Sequence, residues 1–203
     1  MKQFFVTGIS TNVGKTIASA IIVEALEADY WKPVQTGADK DSDAITKLIS
    51  NQKTVIHKNS YSLKAPLSPH AAAKMEGVYI DPNKILEPVT ENHLVIEGAG
   101  GVLVPLNDSD TMLDIIMPNY KVIVVCKHYL GSINHSLLTI QWLIIKGYDV
   151  AVIFNGNPDP HTEDVIIKRT KVPVIGRIVE EEYFDKEIIK KYADEFREAL
   201  LTL

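Results

Sequence analysis

Gly8-Ile9-Ser10-Thr11-Asn12-Val13-Gly14-Lys15-Thr16 joins an apolar run, Gln3 to Thr7, to a segment of helical period reaching from about Lys15 to Ala28. An apolar strand that feeds a glycine-bracketed turn and then a helix is the context a phosphate-binding loop requires. Glycine lets the backbone turn tightly and aim successive N–H groups at one point, where the helix N-terminus adds positive potential. In such a loop Lys15 reaches the β- and γ-phosphates and the Thr16 hydroxyl ligates Mg²⁺. Five residues separate Gly8 from Gly14-Lys15, one more than the common pattern has. A glycine-rich turn with a solvated Lys15 is the plainer alternative. The direct junction of Gly-Lys-Thr with strand and helix favours the phosphate loop, with ATP or GTP as its ligand.

Outward from that loop, short apolar runs alternate with segments of helical period. His93 to Glu97, Lys121 to Cys126, Val150 to Asn155 and Val172 to Val179 are rich in Val and Ile and read as strands. Ser132 to Lys146 and Thr162 to Arg169 suit crossover helices, and Asp185 to Leu203 closes the chain as an amphipathic helix. The expectation is an α/β fold, doubly wound, with a mostly parallel sheet and helices on both faces. No repeat or linker divides the chain, so residues 1–203 read as one domain. The Pro-bearing stretch Ala65 to Pro69 reads as a functional loop.

Composition narrows the function classes. The chain has 21 Lys plus Arg against 26 Asp plus Glu, a net charge of −5. No basic excess is available to neutralise nucleic-acid phosphates. The one cysteine, Cys126, permits no internal disulfide and fits a reducing compartment. No apolar run approaches the ~20 residues that span a bilayer, and the N-terminus lacks the apolar stretch of a signal peptide. A cytoplasmic protein with neither nucleic-acid nor membrane partner is expected.

Two further elements belong beside the phosphate loop. His93-Leu94-Val95-Ile96-Glu97 is an apolar strand ending in a carboxylate, followed by Gly98-Ala99-Gly100-Gly101. In phosphate-loop enzymes an acid at such a strand end holds magnesium, and the glycines let backbone approach the transferred phosphoryl group. Trp31-Lys32-Pro33-Val34-Gln35-Thr36-Gly37 places a lysine at a short strand's end beside a stiffened turn, where its compact charge suits phosphoryl oxygens. Asp43 lies near the start of a helix in Asp41-Ser42-Asp43 and is a candidate metal ligand. Solvated charges and a helix cap are the plain alternatives for Lys32 and Asp43.

Together the strings GISTNVGKT (Gly8 to Thr16), KPVQTG (Lys32 to Gly37), SDA (Ser42 to Ala44), SPH (Ser68 to His70), EGAGG (Glu97 to Gly101) and LGSINH (Leu130 to His135) resemble the dethiobiotin synthase family. They fall in the family's order across residues 1 to about 157, and the longer phosphate loop is a family trait. The resemblance implies a MgATP-dependent ligase of biotin synthesis. Lys15 and Lys32 would be catalytic. Asn12, Val13, Gly14, Thr16, Ile17, Asp43, Glu97, Gly98, Ala99, Gly100 and Asn155 would contact the nucleotide. Thr16, Asp43 and Glu97 would hold Mg²⁺. Thr36 and Ser68 would line the site of 7,8-diaminononanoate. In a homodimer, Leu130, Gly131, Ser132, Ile133 and Asn134 at a helix N-terminus would receive the substrate carboxylate across the interface.

The implied reaction needs no side-chain nucleophile. One amine takes up CO₂ to form a carbamate, the carbamate attacks the γ-phosphate, and the second amine closes the ring with loss of phosphate. The chain departs from the family where Val179-Glu180-Glu181 replaces a Pro-containing turn against the base, and where Asn12 stands in place of a common acid. A partitioning-type switch ATPase shares the loop and fold, but such proteins carry a signature lysine where this chain has Ser10. A non-catalytic module has no need of Lys15, Thr16, Lys32, Asp43 and Glu97 together. Cys126 reads as a small core hydrophobe, the six histidines show no metal spacing, and Trp31 and Trp142 read as core or interface aromatics.

Overall fold

The computed structural model describes residues 1–203. Its strands are β1 (Gln3–Gly8), β2 (Asp29–Trp31), β3 (Val34–Thr36), β4 (Ile56–His57), β5 (Tyr61–Leu63), β6 (Leu94–Glu97), β7 (Lys121–Lys127), β8 (Asp149–Asn155) and β9 (Val174–Ile178). Its helices are α1 (Lys15–Leu26), α2 (Asp41–Leu48), α3 (Pro69–Met75), α4 (Ser132–Ile145), α5 (Pro160–Thr170) and α6 (Lys186–Thr202). Seven strands form a fully parallel sheet in the order β4-β2-β6-β1-β7-β8-β9, and β3 pairs with β5 in a small parallel sheet beside it. The near-continuous apolar runs of β1, β6, β7 and β8 have this origin: both faces are covered, so alternation would bury polar groups.

From β1 the chain crosses to β2 on one side, and from β7 to β8 on the other. Right-handed crossovers therefore place the connecting helices on opposite faces. α1 packs with α2 and α6, whereas α4 packs with α5. α6 is amphipathic, burying Ile189, Tyr192, Ala193, Phe196 and Leu200, and Asp185 caps it by accepting from the Ile188 N–H at 2.9 Å. At Gly176 a Cβ would come within 2.1 Å of the Phe196 ring, so α6 can lie close on β9 only because that side chain is absent. The reversal of strand order beside β1 opens a crevice at the carboxyl ends of β2, β6 and β1, where doubly wound sheets bind ligands. Ala65 to Pro69 overhangs it, except that Pro69 already opens α3.

Candidate active site

The loop between β1 and α1 turns back over the sheet edge. Gly14 takes φ +93° and Asn12 takes φ +57°, left-handed values that glycine adopts freely and asparagine tolerates better than most residues. No side chain caps α1, so its first N–H groups are left for an anion. Asn155 supports the turn from below: its side-chain N–H donates to the Val13 carbonyl at 2.7 Å. Val13 itself is buried in the core.

Thr16 Oγ1 lies 2.8 Å from Asp41 Oδ1 and 3.0 Å from Glu97 Oε1, and its single proton serves one of them at a time. The Lys32 ammonium lies 2.7 Å from Asp41 Oδ2 and 2.9 Å from Glu97 Oε1. The Tyr30 hydroxyl donates to the remaining carboxylate oxygen, Glu97 Oε2, at 2.9 Å. Register explains the convergence. In the β2–β6 pair Tyr30 faces Val95, so Tyr30 and Lys32 emerge on the same side of the sheet as Val95 and Glu97. Gln35 shapes the next segment, donating to the Thr36 and Asp39 carbonyls and accepting from the Asp41 N–H at 3.2 Å.

Burial dominates the electrostatics. It depresses the Lys15 pKa, with Lys32 adding to the fall and Glu97 and Asp41 opposing it. For Lys32 burial acts in the same direction, but the paired charges of Glu97 and Asp41 outweigh it and hold the ammonium above its ordinary range. Burial raises Asp41, yet Lys32, Thr16 and Gln35 overcome that and keep the carboxyl low. Burial, then the Glu97 and Asp41 charges, push the Tyr30 phenol well up, so it stays a donor.

Lys15, Thr16, Lys32, Gln35, Asp41 and Glu97 line a cleft of about 920 Å³. Asn12, Gly14, Lys15, Thr16 and Ile17 form one wall, Ala99 and Gly100 another, and Thr36 and Ser68 the far side. Gly98 is not part of the lining; its N–H continues the ladder by donating to the Val6 carbonyl at 2.9 Å. Asp43 is exposed on α2 and does not line the cleft; the acid that does is Asp41, in the same first turn. A 3.6-residue period puts positions two apart on different sides of a helix, so only one of the two acids can face inward. Asp41 and Gln35 in the lining, and Tyr30 buried behind Glu97, are among the residues that the sequence reading did not assign.

Leu130, Gly131, Ile133 and Asn134 line a second hollow of about 780 Å³ at the start of α4, which shares no residue with the cleft. Ser132 is buried there and Leu130 is fully exposed. Beyond β9, the Tyr192 hydroxyl donates to Glu181 and accepts from the Val179 N–H, and Asn157 donates to Glu180, which holds the segment lacking the proline turn. Cys126 is buried and its thiol is pushed up to about 12, leaving a protonated core side chain. Trp31 is buried, whereas Trp142 is 38% exposed on α4.

Comparison with known proteins gives the chain a family. The chain fits a family model described as an AAA domain over residues 2–187. It is 50% identical over 205 residues to the ATP-dependent dethiobiotin synthetase BioD of Christiangramia forsetii, covering 100% of this chain and 99% of that protein. The chain belongs to the dethiobiotin synthetase family. It is likewise 48% identical to the synthetase of Cytophaga hutchinsonii, covering 95% of this chain and 96% of that one. Solved structures share the fold at far lower identity. The MinC:MinD cell division complex of Aquifex aeolicus matches at TM-score 0.61 and 15% identity, covering 100% of this chain and 97% of that chain. A plasmid partition protein of Borrelia burgdorferi matches at TM-score 0.63 and 14% identity, covering 99% and 98%. Identity that low speaks for the doubly wound phosphate-loop fold alone.

Proposed function

We propose that this dethiobiotin synthetase family member couples ATP cleavage to carboxylation and ring closure of 7,8-diaminononanoate with CO₂. The observation that supports it most is the meeting of Lys15, Lys32, Thr16, Asp41 and Glu97 in one cleft. Two ammonium groups there face a loop of free N–H donors, a place for a triphosphate and a second anion together. Lys15 binds the phosphates. Lys32 neutralises the carbamate and the phosphoryl group in flight, and both charges act where negative charge moves. The carbamate oxygen forms a bond to the γ-phosphorus as ADP leaves. The second amine then attacks the carbamoyl carbon and expels phosphate, closing the cyclic urea.

Thr16, Asp41 and Glu97 would hold Mg²⁺, with Asp41 in the role the sequence suggested for Asp43. Their hydroxyl and carboxylate oxygens are the hard donors this cation takes. When bound, Mg²⁺ supplies charge neutralisation at the phosphates. Thr36 and Ser68 line the diamine side of the cleft. Asn155 sits at the end of β8 with its amide oxygen available to the base and its N–H tied to the loop. The exposed apolar face of α4, with Leu138 at 62% and Ile145 at 75% exposure, supports a homodimer in which Leu130 to Asn134 of one subunit receive the substrate carboxylate of the other.

Phosphate release from MgATP tests the reading. Release that requires both the diamine and bicarbonate is expected. Substrate-independent release stimulated by DNA or lipid would point instead to a partitioning-type switch ATPase.

A further inference from the structure

Tyr30 has no part in the reaction just described, yet it is fully buried against the centre of the cleft. Its hydroxyl donates to Glu97 Oε2 at 2.9 Å. Thr16 and Lys32 both address the other oxygen, Oε1, at 3.0 and 2.9 Å. The carboxylate is therefore divided: Oε1 meets the cleft side chains Thr16 and Lys32, and Oε2 is held from behind by the Tyr30 hydroxyl. We propose that Tyr30 is a positioning residue that reserves Oε2 and restricts Glu97 to a single-oxygen contact, favouring a small octahedral cation such as Mg²⁺ over Ca²⁺.

The physical basis is the contrast between the two ions. Mg²⁺ demands near-ideal octahedral geometry and is bound through one or two carboxylates with several waters, whereas Ca²⁺ accepts more ligands and bidentate carboxylates. A carboxylate whose second oxygen is occupied can offer only the first. Losing the phenol would free Oε2, leave a buried acceptor unpaired and let the group turn. A partner that orients a metal-binding carboxylate is worth ~10- to 100-fold in metal affinity.

This inference rests on the reading of the cleft as a metal–nucleotide site, and the test separates the two. A non-hydrolysable ATP analogue is titrated by calorimetry into wild type and Tyr30→Phe in Mg²⁺, in Ca²⁺ and in EDTA. Phenylalanine keeps the ring but leaves Glu97 Oε2 unpaired, so a lowered melting temperature with far-ultraviolet dichroism unchanged from wild type is expected. The ratio of affinity in Mg²⁺ to that in Ca²⁺ should fall by ~10-fold in Tyr30→Phe, with affinity in EDTA within about twofold. An unchanged ratio overturns the proposal. In a Glu97→Gln background the Tyr30→Phe change should shift the ratio no further, and an equal shift there would mean that Tyr30 acts through packing alone. Equal affinity of wild type in all three media overturns the metal-site reading itself, and this proposal with it.

Discussion

The Asn155 side-chain N–H donates to the Val13 carbonyl at 2.7 Å, so a residue closing β8 supports the phosphate loop 142 positions earlier in the chain. At Gly14 a Cβ would come within 2.3 Å of that same nitrogen, which leaves the loop little room to shift. Asn155→Ala orphans a buried carbonyl at a cost of ~1–3 kcal/mol. Where that strains the nucleotide-bound loop, KM for ATP should rise by roughly tenfold. Steady-state kinetics at saturating diamine and bicarbonate checks this, with kcat expected to change less than KM.

Asp41 and Asp43 make opposite predictions from one helical turn. Asp41→Asn removes a charge from the Thr16–Lys32 cluster and should lower kcat/KM by ~10-fold or more. Asp43 is exposed, and Asp43→Asn should stay within about twofold of wild type. Lys32→Ala should lower kcat by ~10²-fold, since its charge acts mainly in the transition state. Parallel kinetics on the three variants decides whether the structure has named the right acid.

Acid stability should follow the low carboxyls. Asp29 accepts from Thr90, Val55 and Asn92 and contacts His57, and although burial raises its pKa these bonds pull it below the ordinary 3.8. Asp41 is depressed too. A depressed carboxyl binds fewer protons folded than unfolded, so its contribution is present above the ordinary value and lost as pH falls through the folded one. The melting temperature should therefore decline below about pH 4, an estimate from the ordinary carboxylate range. Asp29→Asn should flatten that decline in a pH series of thermal melts.

Gly176→Ala probes the closeness of α6 to β9. The added Cβ meets the Phe196 ring at 2.1 Å, and overpacking of this kind costs ~1–3 kcal/mol. For a chain of this size that corresponds to a loss of roughly 2–12 °C in melting temperature. Gly176→Ala combined with Phe196→Leu should recover part of the loss.

The apolar face of α4 predicts the assembly. Leu138→Asp should yield monomers in sedimentation velocity while the far-ultraviolet dichroism stays that of the wild type, because Leu138 is largely exposed in its own subunit. A wild-type monomer would remove the proposed interface.

Local signals carried the reading of the fold a long way. Each central strand is one contiguous Val- and Ile-rich run, and each crossover helix shows its own period, so nothing distant is needed to recognise them. The phosphate loop is nine adjacent residues whose spacing is itself the chemistry. The turn from Gly37 through Asp43 was less legible. Two acids two apart look equivalent in sequence, and only the docking of α2 through the Gln35 bonds points Asp41 inward.

The parallel α/β architecture and the presence of Gly14-Lys15-Thr16, Lys32 and Glu97 at strand and helix ends follow from short-range periodicity and contiguous motifs, so neighbouring residues suffice to reveal them. Which side chains meet at one oxygen is settled by folding instead: Tyr30 with Glu97, Lys32 with Asp41, and Asn155 with the loop. Those meetings depend on the parallel register of β2 against β6 and on the rotation of α2 about its axis. Registers and rotations are set by packing between segments far apart in the chain, and a string of neighbouring residues holds no term for them.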